Sequence, residues 1–313
     1  MGSAILMALS ISCVQDRQER AISQITVELN LLRFDLEFAQ TPSDHLHLIK
    51  QKYPYFFPQE VADSIWEAKM NDSLQMELAQ EVRKVFPSND ELKDQIHAVF
   101  QHIKYYFPDL LLPKSVVTTT SEVDYQHQII ITDSLVVIAL DTFLGVDHPF
   151  YKGVYDYIKI GMTKDRIPTA LALEFATQNI TPINRPTLIE AMIHEGQKLY
   201  VAQLLCPRSS EQQLLGYTQQ EYEWADANAR FVWEYFITND YLFSTEPKLF
   251  NRFVALAPFS KFYLEFDQDT PGGLGKYVGL QIVKAYMEKA KLELPKLLKT
   301  RPEVIFNAAK YKP

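Results

Sequence analysis

The sequence predicts an α+β protein that is predominantly helical, with a small β-sheet near the middle of the chain. Three observations carry that prediction. Only 10 of 313 residues are glycine, too few for the turn-dense barrels and propellers of all-β proteins. Val, Ile and Thr concentrate between residues 115 and 140, while the segments on either side repeat their apolar residues at helical spacing. With 47% apolar and 22% charged residues the composition is globular, which excludes disordered and collagen-like chains. At about 150 residues per domain the length allows two domains or one large one. No repeat, low-complexity run or linker divides residues 25–313, so they read as a single globular domain.

The chain opens on AILMAL at 4–9, an uncharged run followed by Ser10, Ile11, Ser12 and Cys13, after which QDRQER turns abruptly polar. This pattern is that of a bacterial lipoprotein signal peptide over residues 1–12: the small Ser12 admits the peptidase and the Cys13 thiolate takes a diacylglycerol. Residues 13–24 are then a lipid-anchored tether. Two features depart from the pattern, Ser10 where Leu or Val is usual and the lack of Lys or Arg before the apolar run. The competing reading is a short buried helix in which Cys13 is a small apolar residue. No later stretch reaches the roughly 18 apolar residues of a spanning helix, so the remainder is expected to be tethered and not inserted.

Residues 25–38, ITVELNLLRFDLEF, begin as alternating β-formers and become amphipathic, the signature of a strand running into a helix. From 43 to 107 the prolines of YPYFFP, VFP and YYFP cut a helical region into separate helices, because the residue before proline is barred from helix. SVVTTTSEV at 115–123 and HQIIITDSLVVIAL at 127–140 give two or three adjacent strands. Helices are expected again at 161–179, 186–205, 218–239 and 273–290. The second of these is apolar on most sides and is expected to be central. Gly275 and Gly279, four apart, give the last helix a smooth face on which 186–205 can pack closely.

The balance of 31 basic to 39 acidic residues, net charge −8, repels a phosphate backbone and excludes nucleic acid as a partner. Two cysteines exclude a disulfide framework, and Cys206 before Pro207 reads as an inert buried thiol. His45 and His47 point apart on a helix, and His97 and His102 share a face only loosely. No Gly-x-Ser-x-Gly elbow occurs, and the glycines of 271–287 follow a polar loop where a dinucleotide site needs a strand. His194-Glu195 matches the start of the zinc-protease His-Glu-x-x-His, but Lys198 stands at the second histidine, and a charged lysine repels a metal. Alternatively Glu195-Gly196 supplies a third ligand, with two histidines on the preceding helix around Glu174. That helix offers Leu173 and Thr177 instead. Against both readings stands a local one, in which Glu174 faces solvent and His194-Glu195 pack or hydrogen-bond among their neighbours.

Several segments together resemble the gliding-motility lipoprotein B (GldB) family of Bacteroidetes: Cys13, LLRFDLEF, LIEAMIHEGQKLYVAQLLCP, LLGYTQQEYEWADANARFVWEYFI with LFST, APFSKFYLE, and TPGGLGKYVGLQIVKAYM. The family is in turn similar to predicted zinc proteases. That resemblance implies a zincin-like arrangement in which Glu195-Gly196 match a Glu-Gly pair, Gly275 and Gly279 match late glycines, and Glu174 falls near a metal helix whose histidines are gone. What it implies for function is a pseudo-enzyme without a cofactor, a non-catalytic lipoprotein facing the periplasm. It would support gliding or the associated secretion machinery, with the membrane and proteins of that apparatus as partners. Two alternatives stand beside it. One is a zinc metallopeptidase with an unusual ligand set, His194 and Glu195 with Glu223 or Asp226. The other is a surface lipoprotein binding glycan or peptide through its 19 Phe, 17 Tyr and 3 Trp.

Overall fold

A computed structural model describes residues 17–313. The expected signal peptide at 1–12 and Cys13 lie outside the described residues. Residues 17–23 are helical (α1) and docked, with Ile22 only 1% exposed. The second half of the expected tether is therefore part of the folded body, because Ile22 finds an apolar seat.

Strand β1 (Asn30–Arg33) leads directly into α2 (Phe34–Gln40). The strand is shorter than the expected run from residue 25, since its ladder with the mid-chain sheet starts only at Asn30 opposite Ser115. Helices α3 (Leu46–Lys52), α4 (Asp63–Met70), α5 (Ser73–Val85) and α6 (Asp90–Tyr106) follow; the expected prolines separate α3 from α4 and α5 from α6, while α4 and α5 part at Asn71-Asp72, where Asp72 caps α5. YPYFFP itself is core: Tyr53 meets Phe34 edge-on at 5.1 Å and Phe57 meets Trp66 at 4.7 Å, part of a small aromatic cluster under α2, α3 and α4.

Strands β2 (Ser115–Thr119), β3 (Ile129–Ile131) and β4 (Leu135–Ala139) complete a four-stranded sheet of order β1-β2-β4-β3. β1, β2 and β4 are parallel and only β3 runs antiparallel, at the edge. The sheet is thus mid-chain with one strand drawn from the N-terminal region, joined to it by the α2–α6 crossover that a parallel pair requires.

Beyond the short α7 (Asp156–Lys159) lie α8 (Ile167–Asn179) and α9 (Leu188–Leu205). α9 starts on a capping box, the Thr187 side chain accepting from the Glu190 amide while Glu190 accepts from Thr187 N at 2.7 Å. Then come α10 (Glu211–Leu215), α11 (Gln219–Ala227), α12 (Ala229–Thr238), α13 (Pro247–Phe253), α14 (Leu274–Ala290), α15 (Leu294–Leu297) and α16 (Pro302–Ala309). The helix expected over 218–239 is two, broken at Asn228. As expected of a central helix, α9 packs on α8, α14 and α16, and Met192, Ile193, Val201, Ala202 and Leu205 are inaccessible to solvent. No helix among the described residues is long and apolar enough to cross a membrane.

Candidate functional site

Helix α9 crosses α14 where the backbones themselves touch, at Gly196 and Gly279. A Cβ on Gly196 would sit 2.2 Å from the Gly279 carbonyl carbon, and one on Gly279 only 1.7 Å from the Met192 carbonyl oxygen. Gly275 lies against the Phe253 carbonyl, where a Cβ would come to 2.7 Å. Gly196 and Gly279 are therefore the α9–α14 contact itself, backbone against backbone, and a larger residue at either pushes the helices apart, whereas Gly275 seats the Met192 side chain and the Phe253 carbonyl of α13.

Three of the residues suspected of metal chemistry sit beside this seam. Glu195 is 21% exposed and Lys198, one turn on, 16%; Lys198 Nζ donates to Glu195 Oε1 at 2.5 Å. His194 Nδ1 lies 3.8 Å from the same carboxylate, and partly buried Lys276 approaches from α14. Burial alone would raise the Glu195 carboxyl. The His194 ring and the charges of Lys198 and Lys276 outweigh it and hold the group down at about 2. The Lys276 ammonium is pushed down by burial, with Glu195 opposing the shift. His194 Nε2 is buried without a hydrogen-bond partner.

This set does not fit a zinc ion. The carboxylate that would ligate is claimed by an ammonium, and the ammonium occupies the place of the second imidazole. Glu174, on α8, is elsewhere: its Oε1 accepts from Gln178 Nε2 at 2.8 Å, and the same amide donates to the Ile131 carbonyl of β3. Leu173 is half-buried and Thr177 exposed. Glu223 is exposed and accepts from Gln219, while Asp226 accepts from the Tyr277 hydroxyl at 3.0 Å. The alternative ligands are therefore not gathered on His194, and no group of three His, Cys, Asp or Glu suited to a metal occurs among the described residues. Cys206 is buried with its thiol donating to the Ala202 carbonyl, and burial pushes its pKa up, away from nucleophile chemistry.

A second region joins two of the sequence segments. The Arg252 guanidinium of α13 lies 4.4 Å from the Tyr263 ring centroid, 4.7 Å from Phe253 and 5.2 Å from Tyr241, and donates to the Lys261 carbonyl at 2.8 Å. The Asp267 carboxylate accepts from the amides of Phe262, Tyr263 and Leu264. So pinned, the loop holds Tyr263 at φ 64° and 71% exposed. Gly272 closes it onto the next segment, since a Cβ there would sit 1.8 Å from the Ala257 carbonyl. Phe243, Phe250, Leu256 and Leu264 are also exposed around this corner.

Sequence reading missed a third feature, at the carboxyl ends of the parallel strands, where open α/β sheets commonly place their sites. Buried Arg33 pairs with buried Asp35 (Nη2–Oδ2 2.7 Å) and donates to the Phe86 carbonyl and Asn89. Thr118 donates to Asp35, and Asp141, fully buried after β4, accepts from the amides of Ser121 and Val123. The cavity beside Asp35 measures only about 10 Å³, room for one water. Arg33 and Asp35 neutralise one another and Asp141 is held by backbone amides and the Ser121 hydroxyl, so the network reads as a brace between strands. The signal was available in Arg33 and Asp35 inside an apolar segment, where charge needs a partner.

The chain matches the family described as gliding motility protein GldB over residues 15–313, and it belongs to that family. No curated protein and no solved structure matches it.

Proposed function

We propose that this member of the GldB family is a lipid-anchored, non-catalytic protein of the cell envelope that faces the periplasm and supports gliding motility or the linked secretion machinery. Family membership supplies the connection to gliding. The non-catalytic part rests on one observation: Glu195, the carboxylate best placed to act as ligand or base, is bound by Lys198 at 2.5 Å and depressed by three cationic or hydrogen-bonding neighbours. A carboxylate held so firmly ionised is a poor proton acceptor at neutral pH. Its role is to compensate lysines at a helix crossing. The lipid anchor rests on the apolar run that ends at Ser12-Cys13.

Complementation of a gliding strain that lacks the protein tests the reading. Glu195→Gln, at wild-type abundance, is expected to restore spreading, and Cys13→Ala is expected to leave the membrane fraction and fail. Stoichiometric zinc together with peptidase activity, both lost in Glu195→Gln, would establish the enzyme instead.

A further inference from the structure

We propose that α1 fastens the folded body to the membrane in one orientation, with the face formed by α1 and the carboxyl end of α6 lying against anionic lipid headgroups. The proposal rests on the lipid anchor at Cys13 and adds what that anchor does to the body.

Cys13 precedes Arg17 by four residues, a span of no more than about 14 Å in any conformation. From Arg17 onward the chain is no longer a tether. Ile22 is 1% exposed, Gln18 donates to the Tyr106 hydroxyl at 2.7 Å, and Glu19 meets His102 Nε2 at 3.3 Å. Gln101 of α6 donates to the carbonyls of Ser23 and Ile25, closing the helix end. A lipid at Cys13 thus acts on a part rigidly joined to α6, and the body cannot stand away from the bilayer as it would on a long linker.

Charge then selects the surface of contact. Arg17 and Arg20 are exposed on α1, next to the anchor, where each cation near an anionic leaflet is attracted to it. The diacylglycerol holds the body at the bilayer, and these cations decide which way it is turned. Beside α1 opens a cavity of about 770 Å³, between α6 and the turn after α9, lined by Glu19, Glu91, Asp94 and Asp165 against the single cation Arg208, with Glu91 also paired to Lys164 at 3.1 Å. The acids in excess there are repelled by the same headgroups, so the arginine side of α1 and the Tyr105 end of α6 make the contact while the cavity mouth tilts away.

Helix α9 supplies a reference for distance. Its carboxyl end, Leu205-Cys206, lines that cavity. At its other end Ile189 donates to the Leu242 carbonyl, at the corner that carries Phe243 and Phe250. The two ends are about 25 Å apart at helical rise.

The acylated full-length protein is placed in vesicles of phosphatidylethanolamine and phosphatidylglycerol bearing a headgroup quencher. A fluorescent amino acid replaces exposed Tyr105 or exposed Phe250, one at a time. Quenching is expected to be several-fold stronger at Tyr105, to weaken in Arg17→Glu with Arg20→Glu, and to equalise between sites in Ile22→Asp, which frees α1 from its seat. Equal quenching in the otherwise unaltered protein, or stronger quenching at Phe250, overturns the proposal while leaving the anchor intact. Mass spectrometry of the same preparation that finds no acyl group on Cys13 overturns the anchor, and this proposal with it.

Discussion

Replacing Gly279 by alanine adds one methyl group, for which the structure leaves no room. The new Cβ would stand 1.7 Å from the Met192 carbonyl oxygen and 2.4 Å from its carbon. Ordinary contact lies at about 3.4 to 4 Å, and both obstacles are backbone, so no rotamer change relieves them. Helices α9 and α14 must separate by over an ångström along a seam that buries Met192, Ile193, Val278, Leu280, Ile282 and Val283. A gap of 0.5 to 1 Å already forfeits about a quarter to a half of each contact's attraction. Overpacking typically costs about 1 to 3 kcal/mol and occasionally more; with backbone on both sides a gross loss of about 4 kcal/mol is expected. Alanine returns about 1 kcal/mol through helix propensity, leaving a net loss of about 3 kcal/mol. Urea unfolding monitored by circular dichroism reads this as a lower midpoint at unchanged slope. Gly161→Ala is the control, since a Cβ there meets only the Ile158 oxygen at 3.6 Å. A Gly279→Ala protein within about 0.5 kcal/mol of wild type, the usual range of a harmless surface change, would refute the account of the seam.

Three further outcomes follow from the same geometry. Glu195 titrates at about 2 in the folded protein against an ordinary 4.5, so its contribution is complete above pH 4.5 and is lost as pH falls from there through about 2. Relative to Glu195→Gln, wild type should lose up to about 3 kcal/mol over that window in acid unfolding. Asp35→Asn leaves the Arg33 guanidinium buried without its counter-charge and should cost about 3 to 5 kcal/mol by urea unfolding. Arg252→Ala removes the cation from three aromatic rings and the donor from the Lys261 carbonyl; a loss of about 2 kcal/mol is expected, with faster chymotryptic cleavage after Tyr263 as the local readout.

Long periodic segments were legible, and short ones were not. α9 and α14 declare themselves by length, apolar breadth and glycine spacing, whereas α13 and α16 span 7 and 8 residues and lack a full apolar period. Their start signals, Pro247 and Pro302 at the first helical position, were present in the sequence. Strand pairing was beyond a local reading: β1 joins β2 in parallel register across some eighty residues of helix, and composition names a strand without naming its neighbour. The buried charges divide likewise. His194 and Glu195 drew attention as a fragment of a known motif, while Arg33 and Asp35, two residues apart and paired more deeply, belong to none.

The Glu-Gly pair and the late glycines, which suggested a protease scaffold, have one common physical explanation. Gly196 and Gly279 let α9 and α14 meet at backbone distance. So close an approach draws in whatever flanks it, and here Lys276 of α14 comes up to Lys198 of α9, whose charge adds to burial in disfavouring the Lys276 ammonium. Two cations at a partly desolvated crossing need a counter-charge between them, and Glu195, adjacent to Gly196, stands at that place. Its ionisation is then a condition of the crossing. The glutamate that would have been the first residue of a catalytic argument is better understood as the last residue of a packing one: glycine closes the seam, closure gathers the lysines, and the carboxylate makes their company tolerable.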